Sequence, residues 1–467
     1  MKSIFRALAF PYVVMLALCG CSRVPPADDN CVTSFIDARI QKQAHWERHT
    51  CKATKEAICY LLGQELTVDS AVQIALLNNP EVQVIFDEIG IAHADLIEAG
   101  LFRNPIFDGY VRFPDKALAL NTQFSIAQNF LDIFLVPLRK KVAAAELEQT
   151  KLRVADAILN LSFDVQETFY RYVATKEKLI LLEVLVDATD VANRLAILQK
   201  KQGNINDLEL QVRMNDYLQA KIDYTNNTAE LIALREEMNR LLGLSTNACW
   251  CMTQNLPDIP KNDLPSDCLE AIALSKRLDI GAAKWEMERF FRMWRTKRWW
   301  AYADGTLGAS TEQEAEGFQE TGPTFFLPIP FFNYGQADRA RIYALYDQSL
   351  NRLKALEIAV LSEVRSARDR LSIHRQLILD YQQQLLPLQE SILSTSQRFY
   401  NYMALSVYKL IGSKKQEVEM QIKYRKALLD YWMTRVDLDR SLGGNLYWAT
   451  FEVGLLCETE GASNELL

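Results

Sequence analysis

The sequence predicts an α+β membrane protein built from two internal repeats, in which short strand-like segments interrupt long helices. Three observations support this class. The phrase Arg240-Leu241-Leu242-Gly243 recurs as Arg440-Ser441-Leu442-Gly443, and other phrases recur at a similar offset. Each copy holds two segments with strand character, and each holds a helical stretch of about 65 residues without a glycine. A repeat of this length indicates that half of the protein was duplicated.

The N-terminus has the pattern of an export signal. Lys2 and Arg6 precede an apolar stretch over residues 7–18, which is too short to span a membrane as a helix. The stretch ends in Leu18-Cys19-Gly20-Cys21, which resembles a bacterial lipobox with Cys21 as the acylated, palmitate-bearing residue. Ser22 rather than an Asp follows, which by analogy favours sorting to the outer membrane. A plain cleaved signal with incidental cysteines is the alternative.

These features assign residues 1–20 to a lipoprotein signal peptide and residues 21–63 to a lipid-anchored N-terminal segment. No later segment has 18 uninterrupted apolar residues, so no spanning helix is predicted after the signal. An exported chain meets an oxidising compartment, where disulfides are the default. Cys249 or Cys251 paired with Cys268 would close the linker between the repeats.

The first repeat covers residues 64–255. Its opening helices are interrupted at Asn78-Asn79-Pro80, and two strands follow at about 105–130. A long helical hairpin then spans residues 137–243, with its turn at Gly203 and its end at Gly243.

The second repeat covers residues 256–445 in the same order, and residues 446–467 form a C-terminal tail. Its opening helix is predicted over 266–300, its strands at about 301–332 and its helical hairpin over 336–443. Pro387 lies inside the long helix and is expected to kink it.

Four strands per chain are too few to close a pore-sized barrel. Three chains would supply twelve, which is enough for a closed membrane barrel without free strand edges. The same three chains would supply six long helix pairs, which could close into a helical tube continuous with the barrel. This closure argument predicts a trimer.

Several phrases then resemble one protein family. Residues 66–82, residues 92–105, the strand Gly322-Pro323 to Phe332, and the final helix from Asp430 to Gly443 occur in its order and spacing. The chain resembles the TolC outer-membrane factor superfamily, and within it the CzcC-like channels of metal efflux systems. The resemblance covers most of residues 66–445.

The resemblance implies a homotrimer with a twelve-strand β-barrel, continuous with a long α-helical periplasmic barrel. It implies an outer-membrane channel of a tripartite efflux or export system, lipid-anchored and extending into the periplasm, that passes solutes, including heavy-metal cations, to the exterior. Its partners would be a periplasmic adaptor (a membrane fusion protein), an inner-membrane pump, with the RND type a candidate, and outer-membrane lipid. The alternative is a structural coiled-coil envelope lipoprotein without a pore.

In the resembled family the turns between the long helices form the periplasmic tip that docks the adaptor. The corresponding residues here are Gly203 and Asn206 in the first repeat and Met403 and Ser406 in the second. Glu209 and Lys409 are expected to line the entrance, and a salt link between them is one hypothesis for a closed gate. Two solvated side chains are the alternative.

A basic and aromatic stretch precedes the third strand, where interfacial tryptophans are expected. Trp299 and Trp300 are therefore predicted at the membrane interface, with core packing of the tryptophans as the alternative. Export and a net charge of -7 argue against nucleic acid.

Two groups of residues could bind a metal, but a structural role is preferred for both. His45, His49 and Cys51 could approach a metal on one helix turn, although a surface helix with disulfide cysteines is the preferred interpretation. Cys249-Trp250-Cys251 is interpreted as part of a linker disulfide rather than a soft-metal site. No catalytic motif and no phosphate loop are present, so neither an enzyme nor a cofactor is predicted.

Overall fold

The computed structural model of the chain describes residues 30–42, 44, 52–113, 115, 120–244, 250–260, 268–297, 305–314, 317–329 and 331–445. Predictions for Cys21, His45, His49, Cys51, Cys249, Trp299, Trp300 and the tail 446–467 lie outside these residues. The described chain forms two compact units. A sheet-bearing unit contains residues 87–150 and 285–347, and a helical unit contains residues 30–86, 151–284 and 348–445.

The described helices follow the order predicted for two copies of one plan. They are α1 (Asn30–Ile40), α2 (Lys52–Leu62), α3 (Val68–Asn78), α4 (Pro80–Gly100), α5 (Asp132–Lys201), α6 (Asp207–Leu241), α7 (Leu269–Lys276), α8 (Leu278–Thr296), α9 (Gln336–Asp380), α10 (Leu386–Asn401) and α11 (Val407–Leu442). In the part of the chain that the structure describes, none of these helices combines the length and the apolar character that crossing a membrane requires.

Six strands are described, four of which form one sheet. They are β1 (Glu65–Leu66), β2 (Ile106–Arg112), β3 (Asn121–Asn129), β4 (Cys251–Met252), β5 (Thr306–Gln313) and β6 (Gln319–Phe326). The sheet-bearing unit contains an antiparallel sheet in the order β2-β3-β5-β6. The helical unit contains the short parallel pair β1–β4, which the sequence analysis did not predict. The four predicted strands are thus present within a few residues of their expected positions.

A buried carboxylate fixes the start of α5 in the sheet-bearing unit. The side chain of Asp132 is fully buried, and its oxygens pair with Arg103 at 3.0 Å and with Arg139 at 3.1 Å. The Arg103 backbone N–H also donates to Asp132 at 3.0 Å, and Asn129 accepts from the Leu131 N–H. These contacts place the helix start at Asp132, whereas the sequence predicted it at Pro137.

The second long helix contains a distortion next to its proline. Residues Tyr381–Leu385 form a π-helical turn between α9 and α10, and Pro387 follows in the first turn of α10. Proline has no N–H and its ring crowds the preceding turn, so the helix widens locally instead of continuing its regular hydrogen bonds. The predicted disturbance is therefore present.

The opening helix of the second repeat differs from the prediction in one respect. Residues 266–300 were predicted as one helix, but α7 ends at Lys276 and α8 begins at Leu278. Arg277 is extended between them because its guanidinium is held by Asp279 at 2.7 Å and by Glu363 at 2.7 Å. The break matches Asn79, which separates α3 from α4.

The structure contradicts one of the two pairings predicted for the linker disulfide. Cys251 carries a free thiol in β4, so the pairing of Cys251 with Cys268 is wrong. The backbone of Cys251 is instead paired with Glu65 in the β1–β4 ladder, which holds the linker by strand pairing. The alternative partner Cys249 lies outside the described residues.

Candidate functional site

The turn between α5 and α6 has the geometry of a glycine-terminated helix. Gly203 adopts a positive φ of 76°, which glycine reaches without steric cost. Its N–H donates to the Lys200 carbonyl at 3.0 Å, and the Asn204 N–H donates to the Gln199 carbonyl at 2.9 Å. This pair of bonds is a Schellman ending that satisfies the last carbonyls of α5.

The turn between α10 and α11 repeats this geometry with a different residue. Met403 has a φ of 58°, a left-handed conformation that side chains rarely adopt. Its N–H donates to the Tyr400 carbonyl at 2.8 Å, and the Ala404 N–H donates to the Phe399 carbonyl at 2.9 Å. Each bond lies 200 residues after its counterpart in the first turn.

Both return helices begin with a matching cap. Asn206 accepts a hydrogen bond from the Glu209 N–H at 2.8 Å, and Ser406 accepts one from the Lys409 N–H at 3.4 Å. Such caps satisfy N–H groups that the first helical turn leaves unpaired. The structure therefore brings the four predicted tip residues into two equivalent turns.

The two hairpins contact each other beside these turns through Tyr408. Its hydroxyl donates to Oε1 of Gln199 at 2.7 Å, and the Arg213 guanidinium lies 4.8 Å from its ring centroid. Burial and the nearby Glu209 carboxylate raise the pKa of this hydroxyl, against the lowering effect of Arg213, so it remains a protonated donor at neutral pH. About two turns further along α11, Lys415 pairs with Asp216 at 3.2 Å.

The predicted entrance residues do not pair with each other within the described chain. Glu209 and Lys409 form no ion pair there, and Lys415 with Asp216 links the hairpins instead. Sequence reasoning missed Tyr408 and Gln199. The available signal was a departure from the repeat, because Leu208 occupies the position that corresponds to Tyr408.

Large apolar side chains are exposed at both turns. Tyr402 is 81% exposed and Met403 is 94% exposed, and Leu208 is exposed at the first turn. A helix tip that faced only water would gain nothing from these side chains. Clustered exposed apolar groups are typical of a surface that binds a partner.

The short non-helical segments between the opening helices contact the ends of the return helices, at the base of each hairpin. The Asn79 side chain donates to the Leu241 carbonyl at 3.0 Å, and the Asn78 side chain donates to the Gly243 carbonyl at 2.9 Å. A Cβ on Gly243 would lie 2.6 Å from the Asn78 carbonyl oxygen, so only glycine fits. In the second hairpin the Arg277 guanidinium donates to the Ser441 carbonyl at 3.3 Å.

One face of the four-strand sheet is richer in apolar side chains, and the other is richer in polar ones. Cross-strand register places the following on the same face: Phe107, Val111, Phe124, Ile126, Leu307, Ala309, Pro323 and Phe325. Most of these side chains are exposed, and Phe325 is 81% exposed. The opposite face carries Asp108, Tyr110, Arg112, Gln123, Ser125, Ser310, Glu312 and Glu320. Strands β2 and β3 alternate apolar and polar residues over most of their length, whereas the apolar-rich face also carries Gln128, Thr311 and Gln319 and the polar-rich face also carries Ile106 and Phe326. Strands β2 and β6 are edges with no further strand among the described residues.

Among the described residues, no group of three or more His, Cys, Asp or Glu side chains is arranged to hold a metal ion.

Comparison with known proteins gives a consistent picture. No protein-family model matches the chain. The cobalt-zinc-cadmium resistance protein CzcC of Cupriavidus metallidurans is 20% identical over 389 residues, covering 81% of this chain and 90% of CzcC. Among solved structures, CusC has 16% identity and a TM-score of 0.66, covering 82% of this chain and 93% of CusC. The CmeC outer membrane channel of Campylobacter jejuni has 14% identity and a TM-score of 0.67, covering 91% and 94%. The chain has the fold of these proteins, and the resemblance to the TolC-like outer-membrane factors is confirmed.

Proposed function

We propose that the chain is the outer-membrane channel of a tripartite efflux system. Three copies combine their four-strand sheets into a twelve-strand barrel, and their helical hairpins form a periplasmic tube. Solutes delivered by an inner-membrane pump and a periplasmic adaptor pass through it to the exterior. The channel itself is passive, and the pump supplies the energy.

The observation that carries this proposal is the two-faced sheet. An exposed apolar face would be a liability in water, but it fits the hydrocarbon core of a membrane. The polar face, with Asp108, Arg112, Glu312 and Glu320, suits a water-filled lumen. The unpaired edges of β2 and β6 suit pairing between copies, because closure leaves no backbone group unsatisfied in lipid.

The two turns are proposed as the adaptor-docking tip. Gly203, Asn206, Met403 and Ser406 give both turns one backbone shape at a spacing of 200 residues, so three chains would present six similar tips. The exposed side chains of Tyr402 and Met403 supply apolar contact area. Glu209 and Lys409 are proposed to line the entrance within the assembled trimer.

The remaining predicted sites complete the proposal. Acylation of Cys21 would anchor the mature N-terminus in the outer membrane, and Trp299 and Trp300 would lie at the membrane interface. The duplication of half the chain explains why each copy supplies two strands and one hairpin. Matching hydrogen bonds at Gly203 and Met403, and again at Gly243 and Gly443, support this duplication.

A neighbouring pair of substitutions tests the barrel. Ile126 and Ser125 are adjacent in β3 but lie on opposite faces of the sheet. Purified protein carrying Ile126→Glu is expected to insert poorly into planar bilayers, because a charge on the lipid-facing side is destabilising, although by less than the ~2–4 kcal/mol that Arg or Lys costs near the midplane. Ser125→Glu is expected to insert normally and to conduct with increased cation selectivity.

The result also separates the channel from a structural spacer. If the protein were a spacer, the unsubstituted chain would show no conductance, and the two substitutions would have the same effect on bilayer insertion. Equal insertion of the two variants would contradict the assignment of the apolar face to lipid even if the protein conducts.

The cargo is proposed to include divalent heavy-metal cations, because the chain is similar in sequence to CzcC, a cobalt-zinc-cadmium resistance protein. Cells that lack the chain should show lower growth in cobalt, zinc or cadmium, and restoring the chain should restore growth. An RND-type pump is the proposed energy source. Unchanged metal tolerance together with a measurable channel conductance would point to another cargo.

A further inference from the structure

A basic cavity lies in the sheet-bearing unit, outside the tips and outside the sheet. It has a volume of about 850 Å³ and lies between the start of α5, the end of α8 and the start of α9. The residues around it are Leu138, Lys141, Glu288, Phe291, Arg292, Trp294, Arg295, Thr296, Lys297 and Arg339. Among the described residues around it, five are cationic and one, Glu288, is anionic, although the whole chain has a net charge of -7.

The carboxylate of Glu288 pairs with Arg292. Glu288 accepts from the Arg292 Nε at 2.7 Å, and a second Arg292 nitrogen donates to the Lys141 carbonyl at 3.0 Å. Among the described residues, no ion pair involves Lys141, Arg295 or Arg339, and all three side chains are exposed. Three cations converging without a counter-charge favour an anionic ligand with several acceptor oxygens.

The cavity also offers aromatic and aliphatic surface. Phe291 and Trp294 lie on the α8 side of the cavity. The ring centroid of Phe291 is 5.8 Å from that of Tyr346, and the ring centroid of Trp294 is 6.2 Å from that of Tyr343, both on α9. Leu138 completes the apolar part on α5. A free inorganic anion would leave this surface unused, whereas a lipid would place its phosphate on the cations and its glycerol and acyl carbons on the rings.

The position along the chain fits a membrane surface. Strand β3 ends at Asn129 and α5 begins three residues later at Asp132. Lys141 is the tenth residue of α5, which places it roughly 14 Å along the helix from its start. If the sheet spans the membrane, long basic side chains here reach the headgroups of the periplasmic leaflet. This step rests on the proposed function.

We propose that this cavity binds the phosphate headgroup of an anionic phospholipid. Lys141, Arg295 and Arg339 hold the phosphate oxygens, and Trp294 and Phe291 contact the glycerol and the first acyl carbons. The bound lipid fixes the barrel end of the channel at the membrane surface.

The chain offers a matched pair of variants for the test. Lys141→Gln with Arg339→Gln removes two cations from the cavity, and Lys140→Gln with Arg341→Gln removes two exposed cations from the same helices outside it. Binding of phosphatidylglycerol to the purified full chain in detergent is measured by native mass spectrometry, with phosphatidylcholine for comparison. The first variant should lose about tenfold or more in affinity for phosphatidylglycerol. The second should retain the affinity of the unsubstituted chain.

Three outcomes would overturn the proposal. These are an equal loss in both variants, no preference for phosphatidylglycerol over phosphatidylcholine, and full competition by an equal concentration of inorganic phosphate. The last would indicate a simple phosphate site. The measurement needs no conduction, so a chain that binds lipid selectively but does not conduct would contradict the channel alone. A chain that conducts but fails the lipid comparison would contradict the cavity alone.

Discussion

The hydroxyl of Tyr408 lies 2.7 Å from Oε1 of Gln199 and donates a hydrogen bond to it. Tyr408 belongs to the return helix of the second hairpin, and Gln199 belongs to the end of the long helix of the first. The bond therefore joins the two hairpins of one chain beside their turns. Lys415 and Asp216 add an ion pair between the same hairpins, so the contact has both a neutral and a charged component.

Tyr408→Phe is expected to loosen the tips without unfolding the chain. The substitution keeps the ring on which the Arg213 guanidinium stacks but removes the donor to Gln199, at a cost of about 1 kcal/mol. Amide hydrogen exchange at residues 199–206 and 404–412 should accelerate about fivefold. If the tips close the channel entrance, its conductance should rise at the same time.

Tyr217→Phe is the control, because Tyr217 lies on α6, one of the same tip helices, and is also half-buried. Unchanged amide exchange at the tips in Tyr408→Phe would mean that the hydrogen bond to Gln199 does not stabilise them. Equal acceleration in the two variants would mean that loss of any tyrosine hydroxyl in this region has the same effect.

The turn chemistry could be predicted from sequence because it is local. Gly203 after a long helical pattern, with Asn206 three residues later, specifies a helix end followed by a helix cap. The repeat then transfers the same geometry to Met403 and Ser406, although methionine has no local tendency toward a positive φ. The strands were similarly visible, because alternation and turns are properties of short segments.

Contacts between hairpins could not be predicted in the same way. A repeat shows which residues are equivalent, but it does not show which side of each hairpin faces the other. The bond between Tyr408 and Gln199 could therefore not be predicted from the repeat. The repeat suggested a link between Glu209 and Lys409 instead. The burial of Asp132 could not be predicted for a related reason. Its partners Arg103 and Arg139 come from different positions in the sequence, and only the fold brings them together.

The two turns should respond in opposite directions to an exchange of their residues. Met403→Gly should relieve a left-handed conformation that costs about 1 kcal/mol, and the lost side chain buries almost nothing because it is 94% exposed. Gly203→Met should impose the same cost on the first turn. Amide exchange at each turn, slower for the first variant and faster for the second, is the measurement. Changes of the same sign would show that φ does not control the stability of these turns.

Asp156 in the helical unit should make stability depend on pH. Burial and, secondarily, the nearby Asp279 raise the pKa of this carboxyl against the opposing effects of Arg277, the Asn160 side-chain bond and Arg39, and the net pKa is about 6. The folded state therefore holds a proton that the unfolded state releases at about pH 4. Stability from this group is full below about pH 4 and is lost as the pH rises through about 6.

Asp156→Asn should consequently stabilise the chain at pH 7.5, by on the order of 2 kcal/mol, and should have little effect at pH 4. Thermal unfolding followed by circular dichroism across this range gives the comparison. Asp187→Asn is the control because Asp187 lies exposed on the same helix. A constant difference between Asp156→Asn and the unsubstituted chain at all pH values would contradict the assignment of the titration to Asp156.

The residues equivalent to Tyr408 and Gln199 suggest how neighbouring copies meet. Moving each by the repeat of 200 residues gives Leu208 and Phe399, which are both large, apolar and exposed in the single chain. In the proposed ring of three chains, first-repeat hairpins would alternate with second-repeat hairpins, so each hairpin would have one neighbour from its own chain and one from the next chain. The contact made by Gln199 and Tyr408 within a chain would then correspond to a contact between Phe399 and Leu208 of adjacent chains.

Cysteine cross-linking should distinguish the two contacts. Gln199→Cys with Tyr408→Cys should form a bond within one chain and leave its mobility in denaturing gels at that of a monomer. Leu208→Cys with Phe399→Cys should instead join neighbouring chains and give dimer and trimer bands under oxidising conditions. The unsubstituted chain reports the background from its native thiols, such as Cys251. The Leu208 and Phe399 pair could instead give only monomer bands in a preparation that is trimeric by light scattering. That result would show that this exposed apolar pair does not lie between copies, and it would contradict the arrangement of hairpins inferred from the repeat.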